Sequence, residues 1–112
     1  MEVETEARDG LTVVKISGDV NGMTCGRLEE ELVRLIDGGS RRIVLDLMGV
    51  RYISSAGLRV LMIAAKRLTG DGAFALSRAG GGVRKVLDIT GFSTIIPIHD
   101  DLEDAAAAVR AA

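Results

Sequence analysis

Two adjacent serines, Ser54 and Ser55, occupy the position in this 112-residue chain that most clearly suggests chemistry. They lie between a nearly continuous apolar run at residues 43–47 and a helical pattern that begins near Ala56, so they mark a strand-to-helix junction. A serine there commonly caps the helix, because its oxygen accepts a hydrogen bond from an amide of the first turn. The same place suits an added phosphate, because free amides and the positive end of the helix dipole stabilise negative charge. The residues alone leave both roles open.

Other reactive residue types occur without the partners that catalysis or metal binding requires. His99 is the only histidine and Cys25 the only cysteine, so neither a Ser–His triad nor a four-ligand zinc site is indicated. Three aspartates fall at strand ends or in helix turns, where this residue is usually solvated or capping: Asp19, Asp46 and Asp88. The three glycines at 80–82 lack the Gly-Lys-Ser/Thr ending of a phosphate-binding loop. We therefore predict a protein that is not an enzyme and that holds neither metal nor cofactor.

The composition, 47% hydrophobic and 27% charged, fits one compact domain over residues 1–112. The formal net charge is −2 and the basic residues are scattered, which argues against a nucleic-acid partner. The longest apolar runs, at 60–65 and 105–109, fall short of the roughly 20 residues of a membrane-spanning helix. Residues 1–6 are acidic, unlike a secretory signal, and a lone cysteine agrees with a reducing compartment. These features predict a cytoplasmic location without insertion into a membrane.

Strand and helix patterns alternate along the chain. Runs rich in β-branched or continuous apolar residues predict strands at 3–7, 11–17, 43–47, 73–77 and 95–98. Helical periodicity predicts helices at 24–37, 56–69 and 83–89, and a last one that begins at residues 100 and 101. Four residues supply the apolar stripe of this last helix: Leu102, Ala105, Ala106 and Val109. The alternation predicts an α/β fold with about four helices and a sheet of about five strands, which an N-terminal hairpin makes mixed.

The helix predicted at 56–69 has two different apolar faces. Five residues share the face that is expected to pack on the sheet: Leu58, Leu61, Met62, Ala65 and Leu68. Val60 and Ile63 fall on the opposite side, among three basic residues: Arg59, Lys66 and Arg67. An apolar pair in a charged surround predicts a docking patch for a partner protein. The alternatives are that the two residues contact another helix of the same domain or are scattered surface apolars.

Four segments follow one another in an order that is typical of a known family. They are residues 11–20, which end in Gly-Asp-Val, residues 42–47 (Arg-Ile-Val-Leu-Asp-Leu), residues 52–58 (Tyr-Ile-Ser-Ser-Ala-Gly-Leu) and residues 83–92 (Val-Arg-Lys-Val-Leu-Asp-Ile-Thr-Gly-Phe). Together they resemble a stand-alone STAS domain of the anti-sigma factor antagonist family, over nearly the whole chain. The resemblance implies a mixed sheet with helices, no enzyme activity, and a serine at the start of the second helix that a partner phosphorylates.

The implied partner is an anti-sigma factor with serine kinase activity. In the family, the unphosphorylated antagonist binds this kinase and releases the sigma factor, and a metal-dependent phosphatase restores the antagonist. The family pattern Asp-Ser-Ser/Thr-Gly-Leu falls on residues 54–58, so the phosphoacceptor maps to Ser55, with Ser54 in place of the aspartate and Ala56 in place of the second hydroxyl.

The resemblance also implies which residues contact the partner. The turn through which family members contact the kinase maps to residues 19–22, where Asn21 stands in place of the pattern's aspartate. Together with the helix patch, the predicted partner-binding residues are Asp19, Asn21, Ser54, Arg59, Val60, Ile63 and Arg67.

The hypothesis that results is an anti-sigma factor antagonist that phosphorylation at Ser55 switches off. The alternative is a STAS subunit that docks constitutively, on the ATPase of a lipid-type ABC transporter or within a signalling scaffold, because a fold alone does not assign function. The two differ in whether binding survives a negative charge at Ser55. An unrecognised enzyme is a third hypothesis, which the lack of a base, a metal cluster or a nucleotide loop disfavours.

Overall fold

The computed structural model describes all 112 residues, from Met1 to Ala112. In chain order the elements are β1 (Glu2–Arg8), β2 (Leu11–Val20), α1 (Cys25–Asp37), β3 (Arg42–Ile53), α2 (Ser55–Arg67), β4 (Ala73–Ser77), α3 (Gly81–Ile89), a short 3₁₀ turn (Phe92–Thr94), β5 (Ile98–His99) and α4 (Leu102–Ala111). The five strands form one sheet in the order β1-β2-β3-β4-β5. This architecture confirms the predicted α/β fold with five strands and four helices.

The sheet is mixed, as predicted, because only its first pair is antiparallel. β1 and β2 form a hairpin whose turn residues, Asp9 and Gly10, both have positive φ, which matches the twist of the two strands. The pairs β2–β3, β3–β4 and β4–β5 are parallel. Parallel neighbours need a crossover connection, and α1, α2 and α3 with the 3₁₀ turn provide it in succession.

The helices cover the two faces of the sheet unequally. We call the face beneath α1, α2 and α3 the front face and the face beneath α4 the rear face. The larger core cluster joins the front face to apolar residues of α1, α2 and α3. The smaller cluster packs the α4 stripe predicted from the sequence, which is buried, against Leu11 and three central strand residues: Val13, Val44 and Ala75.

β3 is longer than the apolar run predicted, because it continues beyond Met48 and Gly49 to Ile53. The register shifts there: Lys15 pairs with Asp46, but two residues later Ser17 pairs with Gly49. A Cβ on Gly49 would lie 2.7 Å from the Cβ of Ser17, so only glycine permits this approach of the two strands. The extension carries the chain directly to Ser54.

The strand predicted at 95–98 is shorter and lies later, at Ile98–His99. The apolar run before it packs without pairing: Ile96 is buried in the core, whereas Ile95 is exposed. Pro97 lacks an amide hydrogen and contributes only its carbonyl, which accepts from the amide of Leu76. The apolar residues before Ile98 were predicted as a strand, but they form a loop that contributes Ile96 to the core.

An ion pair joins the middle of β3 to the residue that follows β4. The carboxylate of Asp46 accepts hydrogen bonds from the Ser77 hydroxyl at 3.0 Å and from two nitrogens of Arg78 at 3.0 and 2.6 Å. The hydrogen bond to Asp46 raises the pKa of Arg78 above its usual value. Asp46 thus has a structural role at the rear face.

None of the helices combines the length and the apolar composition that a membrane span requires.

Candidate functional site

The strand-to-helix junction divides the two serines between two roles. Ser54 follows β3 with extended backbone angles (φ −92°, ψ 173°), and its side chain accepts a hydrogen bond from the amide of Gly57 at 3.3 Å. Its carbonyl oxygen accepts from the amide of Leu58 at 2.9 Å, which closes the first helical turn. Ser54 is therefore the N-cap, and α2 begins at Ser55 rather than near Ala56.

Ser55 is the first residue of α2, and it is exposed. Because Ser54 supplies the cap, the Ser55 hydroxyl is not needed to hold the helix start. The capping role that the sequence left open on either serine thus belongs to Ser54. A modification of Ser55 leaves the capping hydrogen bond of its neighbour in place.

The start of α2 is fixed against the end of β2. The amide of Ser54 donates a hydrogen bond to the carbonyl oxygen of Val20 at 2.8 Å. Gly57 lies against the same residue: a Cβ there would come within 2.8 Å of Val20 Cγ1 and 2.9 Å of Ile53 Cγ1. The glycine of the motif is therefore required for the close approach of the helix to the strand ends.

The turn that follows β2 lies beside this junction, and Asn21 organises it. The Asn21 side-chain oxygen accepts from the amides of Met23 at 2.9 Å and Thr24 at 3.2 Å. The Thr24 hydroxyl in turn donates to the carbonyl oxygen of Asp19 at 2.8 Å. The Asn21 oxygen thus shapes the turn that was predicted to contact the partner. The Asp19 carboxylate is partly exposed and lies 3.6 Å from a nitrogen of Arg51.

Two exposed apolar residues near the junction were missed by sequence reasoning. Met23, in the turn after β2, is 96% exposed, and Tyr52, which pairs with Asp19 near the end of β3, is 53% exposed. Neither belongs to a periodic apolar pattern, so the sequence carried no signal that they are unpacked. Both residues add exposed apolar surface to a site whose other exposed side chains are mostly polar.

The predicted residues on the outer side of α2 lie at increasing distances from Ser55. At 1.5 Å rise per residue, Arg59 is about 6 Å along the axis, Ile63 about 12 Å and Arg67 about 18 Å. Arg59 is exposed and Ile63 is partly buried. Arg67, the last residue of α2, donates a hydrogen bond to the carboxylate of Asp37, the last residue of α1, and the two form an ion pair. The structure thus groups Arg59 with Ser55 and places Arg67 apart.

The expected exposure of Val60 is wrong, because its side chain is only 2% exposed. α2 packs against α1 as well as against the sheet, so its buried face is wider than one stripe. Val60 joins the core cluster that also holds Leu28, Leu32 and Ile36 of α1. This is the alternative in which the residue meets another helix of the domain. Met62 and Ala65, expected on the sheet face, are only partly buried.

The electrostatic surroundings of Ser55 favour an added negative charge. The first turn of α2 carries no acidic residue, so nothing there offsets the positive end of the helix dipole. Two exposed arginines, Arg51 and Arg59, lie within four residues of Ser55 along the chain. No group of three or more histidine, cysteine or acidic side chains is arranged to hold a metal ion. The junction can therefore accept a phosphate but offers no set of metal ligands.

The chain is similar to known proteins over nearly its whole length. The profile of the STAS domain matches residues 2–105. BtrV of Bordetella bronchiseptica, whose name assigns it to the anti-sigma factor antagonists, is 41% identical over 113 residues, which are 100% of this chain and 97% of that protein. The crystal structure of an anti-sigma factor antagonist from Mycobacterium paratuberculosis superposes with a TM-score of 0.92 at 28% identity, over 97% of this chain and 93% of that one. The Bacillus protein SpoIIAA in its phosphorylated form shares the fold, with a TM-score of 0.74 at 15% identity over 96% and 99% of the two chains.

Proposed function

The chain belongs to the STAS domain family, and from this premise we propose that it is an anti-sigma factor antagonist that phosphorylation of Ser55 switches off. The observation that carries the proposal is the exposed hydroxyl of Ser55, on the first residue of a helix that a different serine caps. The names of the relatives BtrV and the Mycobacterium paratuberculosis protein support the antagonist assignment.

In the proposed cycle, the unphosphorylated protein binds an anti-sigma factor with serine kinase activity, and the sigma factor is released. The kinase then transfers a phosphoryl group from ATP: Ser55 Oγ forms a bond to the γ-phosphorus, the bond to the ADP oxygen breaks, and the hydroxyl proton passes to a base of the kinase. This chain supplies the acceptor and its position. A metal-dependent serine phosphatase hydrolyses the phosphate ester and restores the hydroxyl.

The switch acts through surface charge rather than through unfolding. A phosphoserine carries nearly two negative charges at neutral pH, and at a helix N-terminus these charges are stabilised. The Ser54 cap and its contact to β2 involve other atoms, so the local fold is expected to persist. In the complex, the new charge faces the nucleotide phosphates of the kinase, and like charges in a water-poor interface weaken binding.

The proposed docking surface combines the start of α2 with the turn after β2. Its core is Ser55 and Arg59, and Asp19 and Met23 extend it across the turn. Ile63 forms its outer margin, one turn farther along α2. Val60 has no place in it, because its side chain is buried.

The first experiment identifies the phosphoacceptor. The purified protein is incubated with ATP and its proposed partner, an anti-sigma factor with serine kinase activity, and the product is analysed by intact and tandem mass spectrometry. We expect one phosphate on Ser55, no phosphate on a Ser55→Ala variant, and unchanged phosphorylation of Ser54→Ala. Phosphate on Ser54, or on neither serine, contradicts the assignment.

The second experiment separates a switch from constitutive docking. Calorimetric titration against the same kinase compares wild type with Ser55→Glu and with Ser55→Gln, which is of similar size but uncharged. We expect the glutamate to weaken the complex by about tenfold or more, and the glutamine to bind within about threefold of wild type. If both variants bind with the affinity of wild type, the constitutively docking STAS subunit is favoured instead.

A further inference from the structure

The rear face of the sheet is only half covered. α4 packs over Val13, Val44 and Ala75, but the strands continue beyond this contact toward Ser17 and Met48. A groove of about 370 Å³ lies on the uncovered half. It is lined by residues of β1, β2 and β3, among them Glu2, Glu4, Lys15 and Met48, and by Arg78, which follows β4. We call it the rear groove. Of its two hydrophobic lining residues, Met48 is 65% exposed and Ile16 is buried.

One side of the rear groove is a free strand edge. β1 is the first strand of the sheet order and pairs only with β2, so its outer edge has no neighbour over the seven residues Glu2–Arg8. Half of the main-chain N–H and C=O groups of such a strand point away from the sheet. They can form a ladder with an extended segment of another chain.

The side chains that β1 presents on the rear face are mostly acidic. Glu2, Glu4 and Glu6 alternate along β1, so their side chains share one face, about 7 Å from one to the next. Glu6 is neutralised by Arg8 at 2.8 Å and lies 3.9 Å from Lys15. Glu2 and Glu4 are exposed and form no ion pair, and both line the rear groove. The cations of the groove are already engaged, since Arg78 binds Asp46 and Lys15 approaches Glu6.

We propose that the outer edge of β1 and the rear groove form a second docking surface, which binds an extended partner segment with basic side chains at alternate positions. The segment adds a strand beside β1, and its basic side chains contact Glu2 and Glu4. Cross-strand pairs of opposite charge stabilise such a ladder. This surface lies on the opposite face of the sheet from α2, so it can be occupied together with the Ser55 site.

The same charges argue against a second copy as the occupant. Antiparallel pairing of β1 with β1 of another molecule places Glu2, Glu4 and Glu6 of both chains on one continuous face. Like charges opposite each other destabilise a strand pair. The acidic row thus disfavours self-pairing and favours a basic strand as the partner.

The test uses the full ¹⁵N-labelled protein at low salt and a capped peptide of alternating lysine and valine as the probe. We expect chemical-shift changes along β1 and at Lys15 and Met48, with slower exchange of the β1 amides. The variant Glu2→Gln/Glu4→Gln should raise the dissociation constant about threefold or more, because two ion pairs are lost. The matched control, Glu29→Gln/Glu30→Gln, removes two unpaired charges from α1 and should change it less than about twofold.

A peptide of alternating lysine and proline carries the same charge but cannot form a strand ladder. We expect it to leave β1 amide exchange unchanged. Absence of binding by the lysine–valine peptide overturns the proposal. The proposal is also overturned if the two double variants weaken peptide binding equally, or if the lysine–proline peptide causes the same chemical-shift changes as the lysine–valine peptide. Either result would show that the peptide is attracted by charge alone. Ser55→Glu should bind the peptide as wild type does, so this result does not depend on the function proposed for Ser55.

Discussion

The amide of Ser54 donates a hydrogen bond to the carbonyl oxygen of Val20 at 2.8 Å, and this contact joins the start of α2 to the end of β2. Because Ser55 is the next residue, its position depends on β2 as well as on its own helix. The turn after β2 begins at the same place, so the two parts of the proposed docking surface share one anchor. Changes to this anchor and changes to the Ser55 side chain should therefore have separable effects.

The capping assignment predicts different stabilities for two neighbouring alanine variants. Ser54→Ala removes the acceptor of the Gly57 amide and should lower the free energy of unfolding by about 1 kcal/mol. Ser55→Ala alters an exposed hydroxyl and should change it by less than about 0.5 kcal/mol. Urea unfolding followed by circular dichroism measures both. If Ser55→Ala lowers the free energy of unfolding more than Ser54→Ala does, the assignment of Ser54 as the N-cap is wrong.

Gly57 is predicted to be intolerant of even one methyl group. Gly57→Ala forces Val20, Ile53 or the helix start to move and should cost about 1 to 3 kcal/mol of stability. Gly26→Ala is the matched control, because it lies in α1 with nothing within 4 Å of its added Cβ. That variant should be neutral or more stable by up to about 1 kcal/mol. Thermal unfolding of the two variants compares them, and equal effects would contradict the close approach.

A negative charge at Ser55 should not destabilise the fold. Charge at a helix N-terminus is favourable by about 0.3 to 1 kcal/mol, and no acidic residue of the first turn competes with it. The melting temperature of Ser55→Glu, and of the phosphorylated protein, should therefore be no lower than that of wild type. A clear decrease would mean that the switch operates by unfolding α2.

Two substitutions one turn apart on α2 should fail in different ways. Val60→Glu buries an unpaired charge beside α1 and should prevent folding, which circular dichroism detects. Ile63→Glu changes a partly exposed residue, so the protein should stay folded, while the complex with the anti-sigma kinase weakens by roughly 2 kcal/mol if an anchor is lost. Wild-type affinity of Ile63→Glu would remove Ile63 from the interface, which would then reach along α2 only as far as Arg59.

The Arg41–Asp71 pair predicts a pH dependence of stability. The hydrogen bond from Arg41, at 2.6 Å, lowers the pKa of Asp71 in the folded protein. A lowered pKa stabilises the fold above the unfolded-state pKa, and this contribution is lost as the pH falls through the folded-state value. Asp71→Asn should therefore be less stable than wild type at neutral pH, and the difference should shrink at acidic pH as Asp71 becomes protonated. Urea midpoints at the two pH values test this, and a difference that persists in acid would rule out the charge as its origin.

The sequence by itself determined the parts of this protein that local periodicity encodes. The α/β alternation, the hairpin, the limits of β4 and the buried stripe of α4 follow from apolar spacing and from turn residues, and the structure agrees with each. The junction at Ser54 and Ser55 was also readable, because a buried strand and an amphipathic helix border it. Family resemblance then singled out Ser55, which the residues alone could not do.

Only the tertiary structure decided which side chains of that junction are free. Val60 is buried because α1 lies against α2, a contact between elements that one helical wheel does not contain. Ser54 became the cap because β3 runs on to Ile53, through register shifts that depend on Ser17 of another strand. Met23 and Tyr52 are exposed because nothing packs over them, and exposure is a property of neighbours distant in sequence. Local pattern fixes which face of an element is apolar, whereas the packing of several elements fixes how much of that face remains in contact with water.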